Sequence, residues 1–240
     1  MHSAIYEALG LSYRYVSFQV DPEDVPECLS TLKRLGYIGL NVTIPLKQEV
    51  LLWCQTVDPF ASKAQAANTL NLKERSCINT DAPGFLGTLQ EYSFPAKTAL
   101  VLGAGGSARA LVLALVADGW HVHIYNRTAT TAEQLASVCG AKAVDSADPA
   151  GAYLILNTTA ASLQGHSPPV IWPRAERQAL AYDLMYSKAI TPFLGDAHKY
   201  GLAILDGKEM LVAQGALSFH WWTGLVAPLD VMRQVVYQEK

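Results

Sequence analysis

The chain is short of charge: Asp, Glu, Lys and Arg make up only 16% of its 240 residues, while half are hydrophobic. That balance can bury a sizeable core and excludes a disordered chain. There is no basic surplus either. The formal charge of -3 argues against nucleic acid or an anionic membrane as the main partner. Cysteines number four, at 28, 54, 77 and 139. With no CxxC pair among them, neither a disulfide framework nor a zinc site is expected, and a reduced, cytoplasmic setting fits. No apolar run approaches the roughly 18 residues of a membrane span, and no basic, apolar, small-residue signal peptide opens the sequence. No GxSxG or other nucleophile signature is present, so hydrolase chemistry is disfavoured. His121 and His123 stand two apart with no third ligand nearby, so no metal is expected.

What is present alternates between helical and strand periods. Helices are predicted over 4–9, 25–35, 47–53, 59–66 and 81–91, the last with Asp81 as its N-cap. Strands are predicted over 13–20 and 37–44, and a hairpin over 69–72 and 77–79. From Thr98 to about Asp206 the candidate strands are 98–103, 121–125, 143–144, 153–157, 179–183 and 203–205, separated by helical runs. The pattern is α/β with a doubly wound parallel sheet in its second half. Two more helices follow, 210–223 and 230–239, the first carrying a Trp221-Trp222 pair read as core. The expected division is a substrate domain of 1–82 with 210–240 and a Rossmann-type domain of 83–209. One feature of the order is unusual: the first helix has no strand before it, although α/β units normally begin with one.

The clearest chemical signal is Gly103-Ala104-Gly105-Gly106-Ser107-Ala108-Arg109. It follows an apolar strand and opens a helix, which is the context a dinucleotide fingerprint requires. Free N–H groups and the helix dipole at such a start favour a pyrophosphate. The next strand ends in Asn126-Arg127-Thr128, where an NAD-binding chain usually carries an acid for the ribose 2′-hydroxyl. An amide, a guanidinium and a hydroxyl there suit a 2′-phosphate, so the expected cofactor is NADP. Arg109 is a second candidate for that phosphate.

In the first half, Asn41-Val42-Thr43-Ile44-Pro45-Leu46-Lys47, Asn68 and Asp81 put polar groups at the ends of segments, as a pocket needs. Taken singly, Lys47 reads as a surface cation, Thr43 as a loop cap, Asn68 as a turn residue and Asp81 as a helix cap. Taken together, Lys47 and Asp81 have a mechanism. The lysine passes a proton to or from a hydroxyl or ketone oxygen, and the carboxylate orients it and favours the ammonium form.

These segments, read in order, resemble the shikimate dehydrogenase family over nearly the whole chain. The motifs are those above with Ala67-Asn68-Thr69, Asn79-Thr80-Asp81, Tyr182-Asp183-Leu184-Met185-Tyr186, Asp206-Gly207 and Met210-Leu211-Val212-Ala213-Gln214. The resemblance implies an NADP-dependent enzyme that reduces 3-dehydroshikimate to shikimate, with Lys47 and Asp81 as its catalytic pair. It implies that Thr43, Asn68 and Gln214 bind the substrate hydroxyls, that Tyr186 lines the substrate carboxylate, and that Gly207 and Met210 lie beside the nicotinamide. It implies a small-molecule substrate and a monomer or homodimer. Two alternatives stand beside it: a quinate/shikimate dehydrogenase using NAD, and a non-catalytic NADP-binding relative.

The chain departs from the family pattern in two places. The family opens with a strand and a Gly-x-Pro…His-Ser-x-Ser-Pro segment whose serines bind the substrate carboxylate, and only the tail of that segment, Met1-His2, has a counterpart here. The expectation is a start that lies upstream or a truncated chain, with an impaired relative as the alternative. The second departure is Asn157-Thr158-Thr159-Ala160-Ala161-Ser162, where the family often has a glycine near Ser162 in the loop over the nicotinamide.

Overall fold

A computed structural model describes residues 1–238 and divides the chain into two compact units, Met1–Thr88 with Glu209–Lys240, and Leu89–Lys208. The predicted end of the last helix at Glu239 lies outside the described residues.

The first unit is built on a four-stranded mixed sheet. Its strands are β1 (Gly39–Asn41), β2 (Thr56–Val57), β3 (Thr69–Asn71) and β4 (Ser76–Ile78), in the order β1-β3-β4-β2. β3 runs antiparallel to both β1 and β4, whereas β2 is parallel to β4. β2 is only two residues long and carries no periodic signal, which is why the sequence did not reveal it. Helices α1 (His2–Ala8), α2 (Val25–Arg34), α3 (Glu49–Trp53), α4 (Pro59–Ala64) and α5 (Asp81–Leu89) follow the predicted order; α1 starts two residues earlier than expected and the other four are shorter.

Val25, Leu29 and Leu32, spaced at i, i+4 and i+7 on α2, meet Val50, Trp53, Leu70 and Leu72 in one core. Ile5 and Tyr6 pack with Val212, Phe219 and Met232 in another, drawn from α1, α9 (Lys208–Thr223) and α10 (Leu229–Gln238). Trp222 is only half-buried, which corrects its reading as core. Its indole N–H donates to the Leu70 carbonyl at 2.9 Å. Gly39 permits that approach, because a Cβ there would stand 2.3 Å from the indole nitrogen.

The predicted strand over 13–20 does not form. The segment has no regular secondary structure, and Tyr13, Tyr15, Val16 and Phe18 are exposed. β-prone residues become a strand only when a neighbour completes the backbone ladder. Among the described residues β1 pairs with β3 alone, and no backbone hydrogen bond joins 13–20 to it. Side chains hold the segment instead. The Tyr15 hydroxyl donates to Asn41 Oδ1 at 2.9 Å, its ring stacks on His2 with centroids 4.5 Å apart, and Phe18 meets Tyr37 edge-on.

The second unit carries six parallel strands: β5 (Thr98–Leu102), β6 (His121–Tyr125), β7 (Lys142–Ala143), β8 (Leu154–Asn157), β9 (Leu180–Asp183) and β10 (Ala203–Leu205). Their order is β10-β9-β8-β5-β6-β7, with α6 (Gly106–Ala117), α7 (Ala129–Cys139) and α8 (Pro192–Lys199) between strands. This is the strand order of a Rossmann sheet. β5, β8 and β9 are almost wholly buried, as parallel strands covered on both faces must be. The core on one face joins Leu100, Leu102, Ile155, Trp172 and Phe193.

His2 is 3% exposed and neither ring nitrogen has a hydrogen-bond partner. Burial, and after it the N-terminal ammonium, pushes its pKa from 6.5 down to about 4, opposed by Asn41. The unfolded chain therefore takes up this proton near pH 6.5, and the folded chain only near pH 4. The stabilising difference is complete above the higher value and is lost as pH falls through that window, by up to about 3 kcal/mol. Urea unfolding at about pH 7 and about pH 5 is expected to show this loss, and His2→Phe to flatten it. An equal slope in both proteins contradicts the assignment.

Candidate functional site

The polar centre of the first unit is assembled from four short segments. Thr43 follows β1, and a turn with a cis Ile44–Pro45 peptide leads from it to Lys47. The Lys47 carbonyl accepts from Ala67 N at 2.9 Å, and the Asn68 carbonyl accepts from Val42 N at 2.8 Å. These two bonds clamp the lysine turn against the start of β3. The hairpin then brings Asn68 beside Thr80 and Asp81. Asp81 is the first residue of α5 but not its cap: Asn79 Oδ1 accepts from Ala82 N at 3.1 Å, while the Asn79 amide holds the Ala66 carbonyl. With Asn79 capping the helix, the Asp81 carboxylate is left for other partners.

Those partners are Lys47 and Asn68. Lys47 Nζ stands 2.7 Å from Asp81 Oδ2, and Asn68 Nδ2 donates to Asp81 Oδ1 at 3.0 Å. The ion pair is mostly shielded, the two side chains being 19% and 14% exposed. Asn68 itself is buried. Its Oδ1 accepts from Thr80 N at 2.7 Å, and its amide also reaches Thr80 Oγ1 at 2.9 Å and Gln214 Oε1 at 3.3 Å. Lys47, Asp81, Asn68 and Gln214 thus share one cluster. Thr43 begins the turn that leads to Lys47, its carbonyl accepting from Leu46 N.

Behind the cluster lies a hydroxyl network that the sequence reading did not anticipate. Ser218 Oγ is 2.7 Å from Thr69 Oγ1 and 3.2 Å from Thr80 Oγ1, and Asn41 Nδ2 donates to Ser218 Oγ at 2.9 Å. With Tyr15 donating to Asn41, hydrogen bonds run from Tyr15 to Asp81. One signal for it was available: Gln214 and Ser218 are one turn apart in the otherwise apolar stretch 210–219 of α9. Gly84 lets that helix close in, since a Cβ there would lie 2.9 Å from the Gln214 backbone nitrogen.

In the second unit, β5 runs into Gly103 at φ +104°, a conformation open to glycine. A Cβ there would also strike Thr158 Oγ1 at 2.6 Å. Ala104 leads to Gly105, the N-cap of α6, where no side chain bonds the first-turn N–H groups of Gly106, Ser107 and their successors. A Cβ on Gly105 or Gly106 would meet nothing within 4 Å, so the helix start is open to an approaching ligand. β6 ends beside this loop, with Gly103 N donating to the Tyr125 carbonyl. Asn126 then closes a turn by donating to the Thr128 carbonyl at 3.0 Å, which leaves Arg127 and Thr128 exposed; Arg109 is half-buried on α6. The donor set, an open helix N-terminus beside a guanidinium, fits the pyrophosphate and 2′-phosphate of NADP.

The loops after β8 and β9 are fixed by a buried carboxylate. Asp183 accepts from Asn157 Nδ2, Ser162 Oγ, Thr191 Oγ1 and Met185 N at 2.6–3.1 Å. Burial pushes its pKa up, and the hydrogen bonds pull against that shift. Gly207 packs where a Cβ would overlap the Leu184 carbonyl, 3.2 Å from the Tyr186 ring. Tyr186 is exposed, and Met210, in the first turn of α9, is half-buried.

A parallel sheet in Rossmann order with an open glycine loop defines a two-unit α/β chain of the dinucleotide-binding class. Known proteins place it more narrowly. Residues 1–70 match the shikimate dehydrogenase substrate binding domain, 88–155 the shikimate / quinate 5-dehydrogenase domain, and 207–237 the shikimate 5'-dehydrogenase C-terminal domain. The shikimate dehydrogenase (NADP(+)) of Moorella thermoacetica is 36% identical over 264 residues, covering 98% of this chain and 86% of that protein. That of a Thermus thermophilus strain is 38% identical over 233 residues, covering 94% and 87%. The crystal structure of Thermus thermophilus shikimate 5-dehydrogenase in complex with NADP(H) and shikimate superposes with a TM-score of 0.91 at 36% identity, covering 98% of this chain and 91% of that one. The chain belongs to the shikimate dehydrogenase family.

Gly84→Ala is expected to push α9 away from α5 and break the Asn68–Gln214 contact. The measurable result is a KM for shikimate raised by about tenfold, the scale of one lost hydrogen bond, with the far-UV spectrum unchanged. An unaltered KM contradicts this role for Gly84.

Proposed function

We propose that this chain is an NADP-dependent oxidoreductase that interconverts 3-dehydroshikimate and shikimate in the formation of aromatic precursors. The observation that carries the reading is the shielded Lys47–Asp81 pair at 2.7 Å, held by Asn68. NADPH, when bound, supplies the hydride that reduces the C3 ketone. Gly103, Ala104, Gly105, Gly106 and Ser107 would hold its pyrophosphate, and Asn126, Arg127 and Thr128, with Arg109, would hold the 2′-phosphate. Gly207 and Met210 would serve the nicotinamide.

Lys47 Nζ delivers the proton that the ketone oxygen needs as it becomes a hydroxyl. Asp81 keeps the ammonium aimed before transfer, through the 2.7 Å ion pair that holds it. Asn68 and Gln214 present an amide N–H and an amide oxygen to the substrate hydroxyls, Thr43 adds a hydroxyl, and Tyr186 meets the substrate carboxylate. The same reading makes it a cytoplasmic enzyme, monomeric or homodimeric, acting on a small molecule. Four cysteines without disulfides suit that reduced compartment.

Absorbance-monitored reduction of NADP and of NAD by this chain, with shikimate, with quinate and with neither, tests the reading. Turnover is expected with shikimate and NADP. Lys47→Ala is expected to lower kcat by at least ~10²-fold, the scale of a general acid–base group, while NADP affinity is retained. NADP binding without turnover on either substrate would favour a non-catalytic relative, and unchanged turnover in Lys47→Ala would remove the lysine from the mechanism.

A further inference from the structure

Ser218, Thr69, Thr80 and Asn68 are all buried. In such a place every polar proton needs an acceptor, and each hydroxyl has only one proton to give. Both ends of their network are fixed. At the outer end the Tyr15 hydroxyl donates to Asn41 Oδ1, so the Asn41 amide turns its nitrogen inward and donates to Ser218 Oγ at 2.9 Å. At the inner end Thr80 N donates to Asn68 Oδ1 at 2.7 Å. That bond turns the Asn68 nitrogen toward Asp81 Oδ1 at 3.0 Å and Thr80 Oγ1 at 2.9 Å.

Between the ends stands a triangle of hydroxyls. Ser218 Oγ is 2.7 Å from Thr69 Oγ1, and each of the two is 3.2 Å from Thr80 Oγ1. Their protons leave the triangle at a carbonyl oxygen, and among the described residues two are in reach. The Gln214 carbonyl is 2.9 Å from Ser218 Oγ. Asn68 Oδ1 is 3.2 Å from Thr80 Oγ1 and 3.4 Å from Thr69 Oγ1, and it already takes the shorter bond from Thr80 N. Thr80 Oγ1 is also nearer to the Asn68 nitrogen than to its oxygen. The shorter bonds therefore run one way: Asn68 to Thr80, through Thr69 to Ser218, and out to the Gln214 carbonyl.

We propose that Ser218 is a positioning residue that acts on Asn68 through Thr69 and Thr80. By giving its own proton to the Gln214 carbonyl, Ser218 accepts from Thr69, Thr69 accepts from Thr80, and Thr80 is left as an acceptor for the Asn68 amide. Its bearing on catalysis rests on the reading of Lys47 and Asp81 as the proton-transferring pair. Without the Ser218 hydroxyl the outlet at Gln214 is closed. The Thr80 proton then turns to Asn68, where it faces the amide N–H. Two donors oppose each other, the amide swings away, and its hold on Asp81 loosens. The helix that carries Gln214 thus also sets the direction of the amide that steadies the ion pair.

Two measurements test this, one of them independent of turnover. A neutron crystal structure of the deuterated protein is expected to show the Ser218 deuteron on the Gln214 carbonyl, that of Thr69 on Ser218, and that of Thr80 pointing away from Asn68. A Thr80 deuteron on Asn68 Oδ1 overturns the proposal. In steady-state kinetics with shikimate, Ser218→Ala is expected to lower kcat by about tenfold, the scale of one buried hydrogen bond, with KM for NADP and the far-UV spectrum unchanged. In a Thr80→Val background the same substitution is expected to cost less than ~2-fold, because residues of one network are not additive. A wild-type kcat in Ser218→Ala, or an equal loss in both backgrounds, also overturns it. Absence of shikimate turnover in the wild-type protein counts against the proposed activity alone, and the deuteron positions then decide the role of Ser218.

Discussion

Asn68 is the residue on which the first unit's chemistry depends. Its backbone carbonyl fixes the end of β1, its side-chain oxygen fixes the backbone at Thr80, and its amide reaches Asp81 and Gln214. A buried amide with unmet donors or acceptors costs about 1–3 kcal/mol, so each of these bonds defines where its partner must be. The network constrains itself. Three parts of the chain far apart in sequence, the lysine turn, the hairpin and α9, therefore meet in one arrangement, and the Lys47–Asp81 ion pair inherits its geometry from that meeting.

The second unit uses a comparable device for a different end. There the buried acceptor is Asp183, and the groups it gathers are the loops after β8 and β9. Parallel strands all deliver their carboxyl ends to the same edge of the sheet, which is why ligands of such sheets bind there. The glycine loop, the Asn126–Thr128 turn and the Asp183-anchored loops are all products of that one rule. Glycine is required at Gly103 and Gly207 for two reasons: a positive φ at the first, and a backbone carbonyl in the way at the second.

Much of the second unit was legible in the sequence because its signals are local. Buried parallel strands read as short apolar runs, and the glycine turn sits between strand and helix in plain order. In the first unit the hairpin and most helices were also legible, but residues 13–20 were not. Their aromatic and β-branched pattern is that of a strand, yet strand formation depends on a neighbour, which no local pattern encodes. The two-residue β2 was too short to register. Asp81 looked like a helix cap because acids commonly are; Asn79 fills that role two positions earlier, and the carboxylate goes to Lys47 instead. The hydroxyl network of Thr69, Thr80 and Ser218 was hidden for a different reason: its members are far apart in sequence and ordinary one at a time.

The central claim is that Asn68 and Asp81 act as one unit in holding Lys47, the residue proposed to pass the proton. A double-mutant cycle on kcat with shikimate, using Asn68→Ala, Asp81→Ala and the double variant, tests it most directly. Coupled residues in one hydrogen-bond network show interaction energies of about 0.5–3 kcal/mol. The account predicts a coupling of at least about 1 kcal/mol, the double variant being little worse than Asp81→Ala alone. Additive losses would contradict it.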